Sequence, residues 1–91
     1  MIRVLLADDQ EMVRVGFRMI LDSDAEIEVV GEVPDGADAV RLARELGPDV
    51  VLTDVRMPGK DGLTVCRELK GNPACRDLKV MLLTARIDEK S

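Results

Sequence analysis

Three aspartates stand where carboxylates could share one cation: Asp8 and Asp9 close VLLADD, and Asp54 closes VVLTD. Oxygen donors suit a hard ion such as Mg2+, which keeps several waters and needs only a few carboxylates. Clustered like charges repel, and a divalent ion relieves the repulsion. An aspartate in such a place can also act as a nucleophile and become an aspartyl-phosphate. The ion would then neutralise charge on a transferring phosphoryl group. Each acid also has a plainer reading. Asp8 or Asp9 could cap a helix, and Asp54 could be a turn residue ahead of Pro58.

The flanking residues say how these acids are held. Ile2–Ala7 is a short apolar run broken by Arg3, which reads as a buried strand. From Glu11 the period becomes helical, with Met12, Val13, Gly16, Phe17, Ile20 and Leu21 on one face. Asp9 or Gln10 is the expected N-cap, and Asp22-Ser23-Asp24 ends the helix. Ile27–Val33 returns to strand chemistry, and Pro34-Asp35-Gly36 is a turn signal. A second helix is expected over Asp35–Leu46, burying Ala39, Val40, Ala43 and Leu46 and stopped by Gly47-Pro48. Val50–Thr53 is a third strand. Gly62–Lys70 is a third helix, with Leu63, Cys66 and Leu69 at helical spacing and Cys66 therefore expected in the core. Lys79–Thr84 is a fourth strand, and the polar 86–91 begins another helix. Strands alternating with helices imply an α/β fold with a parallel sheet covered on both faces. In such sheets ligands bind beyond the carboxyl ends of the strands, where all three acids fall.

Composition narrows the chemistry. With 91 residues there is room for one small domain. The net charge of −5 argues against a nucleic-acid surface and favours cations near the acids. Histidine is absent, which removes the usual general base and any phosphohistidine of the chain's own. Cys66 and Cys75 are the only thiols and are expected to be reduced. No apolar run approaches a membrane span, and no signal-peptide pattern opens the chain, so a cytoplasmic location is expected.

The stretches LLADDQEMVRVGF, VVLTDVRMPGKDGL and VMLLTA resemble the receiver domain of bacterial two-component response regulators. The resemblance runs along the whole chain. It implies the family's flavodoxin-like, doubly wound sheet in the order 2-1-3-4. It implies that Asp54 accepts a phosphoryl group from a sensor histidine kinase, controlling an attached transcriptional output domain. It further implies Mg2+ held by Asp8, Asp9, Asp54 and the backbone carbonyl of Arg56. Met57-Pro58-Gly59 matches the loop beside the acceptor, Thr84 the switch hydroxyl, and Ala85 the small residue that leaves room for the phosphoryl group. The chain is then a phospho-accepting signalling domain rather than an enzyme acting on other substrates. The front part, through DGL, is most like regulators with a LuxR-type helix-turn-helix output, whereas LLTARIDEKS is more like those with a winged helix.

A complete receiver has five strands and five helices. Measured against it, the chain is expected to lack the fourth helix, the fifth strand and the fifth helix. With them go a Lys and an aromatic switch residue, and Lys90 stands too close to Thr84 to replace the Lys. Residues 1–91 are therefore read as an incomplete receiver, either part of a longer protein, a truncation or chimera, or a natural short form. KVMLLT is expected to be an edge open to strand pairing or domain swapping. That supports an alternative, a module that self-associates through its open edge without switching. An aspartate-nucleophile phosphatase is disfavoured because Arg56 stands where such enzymes carry a second acid. A flavin-binding protein is disfavoured because Asp8-Asp9-Gln10-Glu11 would repel phosphate.

Overall fold

A computed structural model describes residues 1–55, 60–75 and 77–83, with Ala74 and Leu83 described in backbone only. Among these, β1 (Ile2–Ala7), α1 (Glu11–Asp22), β2 (Ile27–Val33), α2 (Gly36–Leu46), β3 (Val50–Asp54), α3 (Gly62–Lys70) and β4 (Lys79–Leu83) follow in order. A single 3-10 turn, Pro73–Cys75, precedes β4. The strands form one sheet in the order β2-β1-β3-β4, every pair parallel. This is the expected α/β architecture.

Alternation along the strands builds two cores. Leu5, Ala7 and Val51 point to the face covered by α2 and α3, where they meet Ala39, Val40, Ala43, Val65 and Leu69. Val4, Leu6 and Leu52 point to the other face, against Phe17 and Leu21 of α1. The register slips once between β1 and β2. Val4 lies opposite Val29, but Leu5 lies opposite Gly31, so Val30 is an extra residue.

The helices depart from expectation in which sides they bury. No residue of α1 is fully buried, and Met12, on the face expected to be apolar and inward, is 87% exposed. Of its apolar residues, Val13, Phe17 and Leu21, spaced four apart, are the half-buried ones. In α3 the buried stripe is Gly62, Val65 and Leu69. Leu63 is 53% exposed and Cys66 half-buried, so Cys66 is not a core residue; the core thiol is Cys75. The close seating of Gly62 against β3 sets this rotation.

Helix ends are chemically marked. The Asp35 carboxylate caps α2 by accepting from the Asp38 N–H at 2.8 Å, and Asp61 does the same for α3 through Thr64 at 2.8 Å. That bond holds the Asp61 carboxyl below its usual range. Helix α2 ends at Gly47, whose φ of 57° is left-handed. The Arg3 guanidinium donates to the Leu46 and Gly47 carbonyls, each at 2.9 Å, tying β1 to that end of α2. Arg3→Met should therefore cost about 1 kcal/mol, a thermal-melting decrease of roughly 4–8 °C. An unchanged melting temperature would remove this role.

Candidate functional site

The register places the acids. Ala7 lies opposite Thr53, so Asp8 and Asp54 are the next residues along two hydrogen-bonded strands. Asp54 is the last residue of β3 rather than the first beyond it. Each of Asp8, Asp9 and Asp54 offers one carboxylate oxygen, and the three oxygens lie within 4.8 Å of one another. Asp8 and Asp54 are each only 6% exposed, whereas Asp9 is exposed. The cluster thus has a sheltered floor and an open side.

Asp8 is fixed by three bonds. Its N–H donates to the Val33 carbonyl at 3.1 Å, continuing the β1–β2 ladder one step. One oxygen of its carboxylate accepts the Gln10 N–H at 2.9 Å. Its backbone carbonyl accepts from Nη1 of Arg14 at 2.5 Å. Gln10 is the N-cap of α1 but makes no side-chain cap bond, and the Asp8 carboxylate accepts its N–H at this turn. Burial pushes the Asp8 carboxyl above its ordinary range. The Gln10 N–H partly opposes that, and Asp54 and Asp9 add to it.

The other wall is a close approach of backbones. Gly62 opens α3 directly against the end of β3, and its N–H donates to the Val55 carbonyl at 2.9 Å. A Cβ there would lie 2.4 Å from the Asp54 carbonyl oxygen. Gly36 opens α2 in the same way, and a Cβ there would lie 2.1 Å from the Lys60 carbonyl oxygen. Lys60 is held in turn by Glu68 at 2.8 Å. Both glycines follow a capping aspartate, so each Asp-Gly pair starts a helix and lets another backbone touch it.

These residues fit a divalent cation. Oxygen ligands of one octahedral Mg2+ stand up to about 4 Å apart, close to the spacing seen. Burial first, and then the neighbouring Asp54 and Asp9, raise the Asp8 carboxyl, and a divalent cation would offset both. The expected acids Asp8, Asp9 and Asp54 are brought together. Arg56, Met57-Pro58-Gly59, Thr84, Ala85 and Lys90 lie outside the described residues. Sequence reading missed Arg14, Gly36 and Gly62 as parts of this site. The repeated Asp-Gly at helix starts was the available signal for the glycines.

The comparisons with known proteins agree with this geometry. The model of the response regulator receiver domain matches residues 4–91. The transcriptional regulatory protein LiaR of Bacillus subtilis is 50% identical over 93 residues, spanning 98% of this chain and 41% of LiaR. Response regulator GacA of Pseudomonas aeruginosa is 46% identical over 85 residues, spanning 92% of this chain and 38% of GacA. The chain thus spans less than half the length of these curated relatives. Among solved structures, the isolated receiver domain of RcsB from Salmonella enterica, determined with phosphomimetic BeF3−, superposes with a TM-score of 0.84. It is 30% identical and covers 96% of this chain and 64% of that one. The response regulator domain of Thermotoga maritima CheB gives 0.82 at 34% identity, covering 89% of this chain and 58% of that one.

Proposed function

The chain belongs to the response regulator receiver domain family, and from that premise we propose that Asp54 accepts a phosphoryl group from a sensor histidine kinase in a Mg2+-dependent reaction. The observation that carries this is the gathering of three carboxylate oxygens at the ends of two adjacent parallel strands. A carboxylate oxygen of Asp54 attacks phosphorus, a P–O bond forms, and the P–N bond of the donor phosphohistidine breaks. The leaving imidazole keeps the electron pair and is released neutral once protonated. Asp8, held through its N–H, carbonyl and one carboxylate oxygen, offers a carboxylate oxygen to the cluster with Asp54. Asp9 closes the cluster from the solvent side. Mg2+, when bound by Asp8, Asp9, Asp54 and the Arg56 carbonyl, supplies positive charge for the phosphoryl oxygens. Thr84 is the residue whose hydroxyl would report the modification.

As in LiaR, named as a transcriptional regulator, the output would be transcriptional; the proposed setting, that of a kinase-fed signalling domain, is the cytoplasm. No helix among the described residues is long and apolar enough to cross a membrane. A second reading, self-association through a sheet edge, draws on one observation. Among the described residues β4 pairs only with β3, and Met81 on it is exposed.

Phosphoramidate with Mg2+ should add one alkali-labile, hydroxylamine-labile phosphoryl group to the full chain and none to Asp54→Asn. Intact-mass spectrometry reads both. Labelling that persists in Asp54→Asn, or fails in the unaltered protein, would refute the assignment. A concentration-independent monomer by sedimentation would refute the second reading.

A further inference from the structure

Beneath the acid cluster lies a second charged group that the phosphoryl chemistry does not use. Arg14 projects from the second turn of α1 toward the sheet, and only 16% of its side chain is exposed. Its Nη1 donates to the Asp8 carbonyl at 2.5 Å. Its Nε is buried without a hydrogen bond, 3.5 Å from Oε1 of Glu32. Glu32, near the end of β2, also takes Nη1 of Arg18 at 2.5 Å on its other oxygen. A guanidinium so nearly buried is costly unless it is held and employed. Here it is held by Glu32 and aimed at one backbone oxygen.

That oxygen belongs to the peptide linking Asp8 to Asp9. Rotating this peptide would swing both carboxylates, because it is the bond they share. The Asp8 N–H and one carboxylate oxygen are pinned by Val33 and Gln10, and Arg14 supplies the remaining restraint. We infer that Arg14, braced by Glu32, is a positioning residue that sets the Asp8–Asp9 peptide, and with it the cation affinity of the acid cluster. The inference rests on the proposed Mg2+ site.

Charge and positioning make opposite forecasts. Arg14 is a cation near a cation site, so removing its charge alone would tighten Mg2+ binding. Removing its hold on the peptide would loosen it. Groups that orient ligands from behind typically govern affinity by about 10-fold or more. Titration of the full chain with Mg2+, followed by the amide resonances of Asp8, Asp9 and Gln10, decides between them. Arg14→Met is expected to raise the dissociation constant about 10-fold and to shift the Asp9 amide before any Mg2+ is added. Arg14→Lys keeps the charge but cannot span the carbonyl and Glu32 with one planar fork, and should weaken binding about threefold. Unchanged or tighter binding by Arg14→Met overturns the positioning role. If that variant does not fold, Arg14→Lys decides, and binding equal to that of the unaltered protein overturns it. No saturable Mg2+ response in the unaltered protein overturns the metal site as well, and so separates the two failures.

Discussion

Gly62→Ala is expected to lower the melting temperature by more than about 10 °C, and to depress phosphorylation of Asp54 even where the protein remains folded. The new Cβ would sit 2.4 Å from the Asp54 carbonyl oxygen and 3.0 Å from the Val55 Cα. Both are backbone atoms, so no rotamer change gives relief. The Gly62 N–H is bonded to the Val55 carbonyl at 2.9 Å, which stops the helix from sliding away. Overpacking of this kind costs about 1–3 kcal/mol or more, and each kcal/mol is roughly 4–8 °C in a domain of this size. Whatever separation occurs must open between α3 and the end of β3, where Asp54 stands. Gly16 provides the control, since a Cβ there meets nothing within 4 Å. Gly16→Ala on that exposed helix should be stabilising by up to about 1 kcal/mol. Thermal melts of the two variants side by side check the argument, and a decrease under about 3 °C for Gly62→Ala would contradict it.

Asp8→Asn should have the reverse character, raising stability in metal-free buffer while abolishing the response to Mg2+. Two carboxylates about 5 Å apart repel by roughly 3 kcal/mol at an effective dielectric of 20. Solvent on the Asp9 side weakens this, and a third of it, about 1 kcal/mol, is roughly 4–8 °C. An asparagine oxygen still accepts the Gln10 N–H, so the turn survives the change. The pH dependence has a definite sign. Burial, with Asp54 and Asp9 nearby, raises the folded Asp8 carboxyl above its ordinary value of 3.8. The folded state therefore takes up this proton before the unfolded state does. Its stabilising contribution is complete below 3.8 and is lost as pH rises through the raised folded value. The advantage of Asp8→Asn should accordingly be largest at neutral pH and fade on acidification through that window. Added Mg2+ should raise the melting temperature of the unaltered protein by ligand linkage and leave the variant unmoved. A metal-free Asp8→Asn melting below the unaltered protein at pH 7 would count against a net cost of the Asp8 charge in the folded state.

Much of this was legible in the chain. The bounds of β1, β2 and α3 follow directly from Ile2–Ala7, Ile27–Val33 and Gly62–Lys70, because turn residues bracket each run. The acids were legible because their meaning depends only on ending strands of one parallel sheet. Rotation of α3 was not. Leu63, Cys66 and Leu69 satisfy helical spacing as well as Gly62, Val65 and Leu69 do, and the choice is made by a contact between backbones. Gly36 looked like a turn residue, yet what requires it is the Lys60 carbonyl, distant in sequence. Arg14 and Glu32 were hidden for a related reason. Each is an ordinary charged residue on an amphipathic element until α1 lies over β2 and brings them together.

The extra residue in β2 has a consequence for how that strand divides its side chains. In a regular strand Val29 and Val33 would share a face, being four apart. Here Val29 joins the α1 core and Val33 the opposite one. Val30 therefore acts as a parity switch: before it odd positions face α1, and after it even positions do. Glu32 inherits the α1 side, under Arg14 and Arg18, only because of that switch. Threading the same residues through the strand without the slip, Val30 retained, would exchange the last two residues between faces. The carboxylate would then point into the core packed by α2, and a valine would lie where the arginines need an acid.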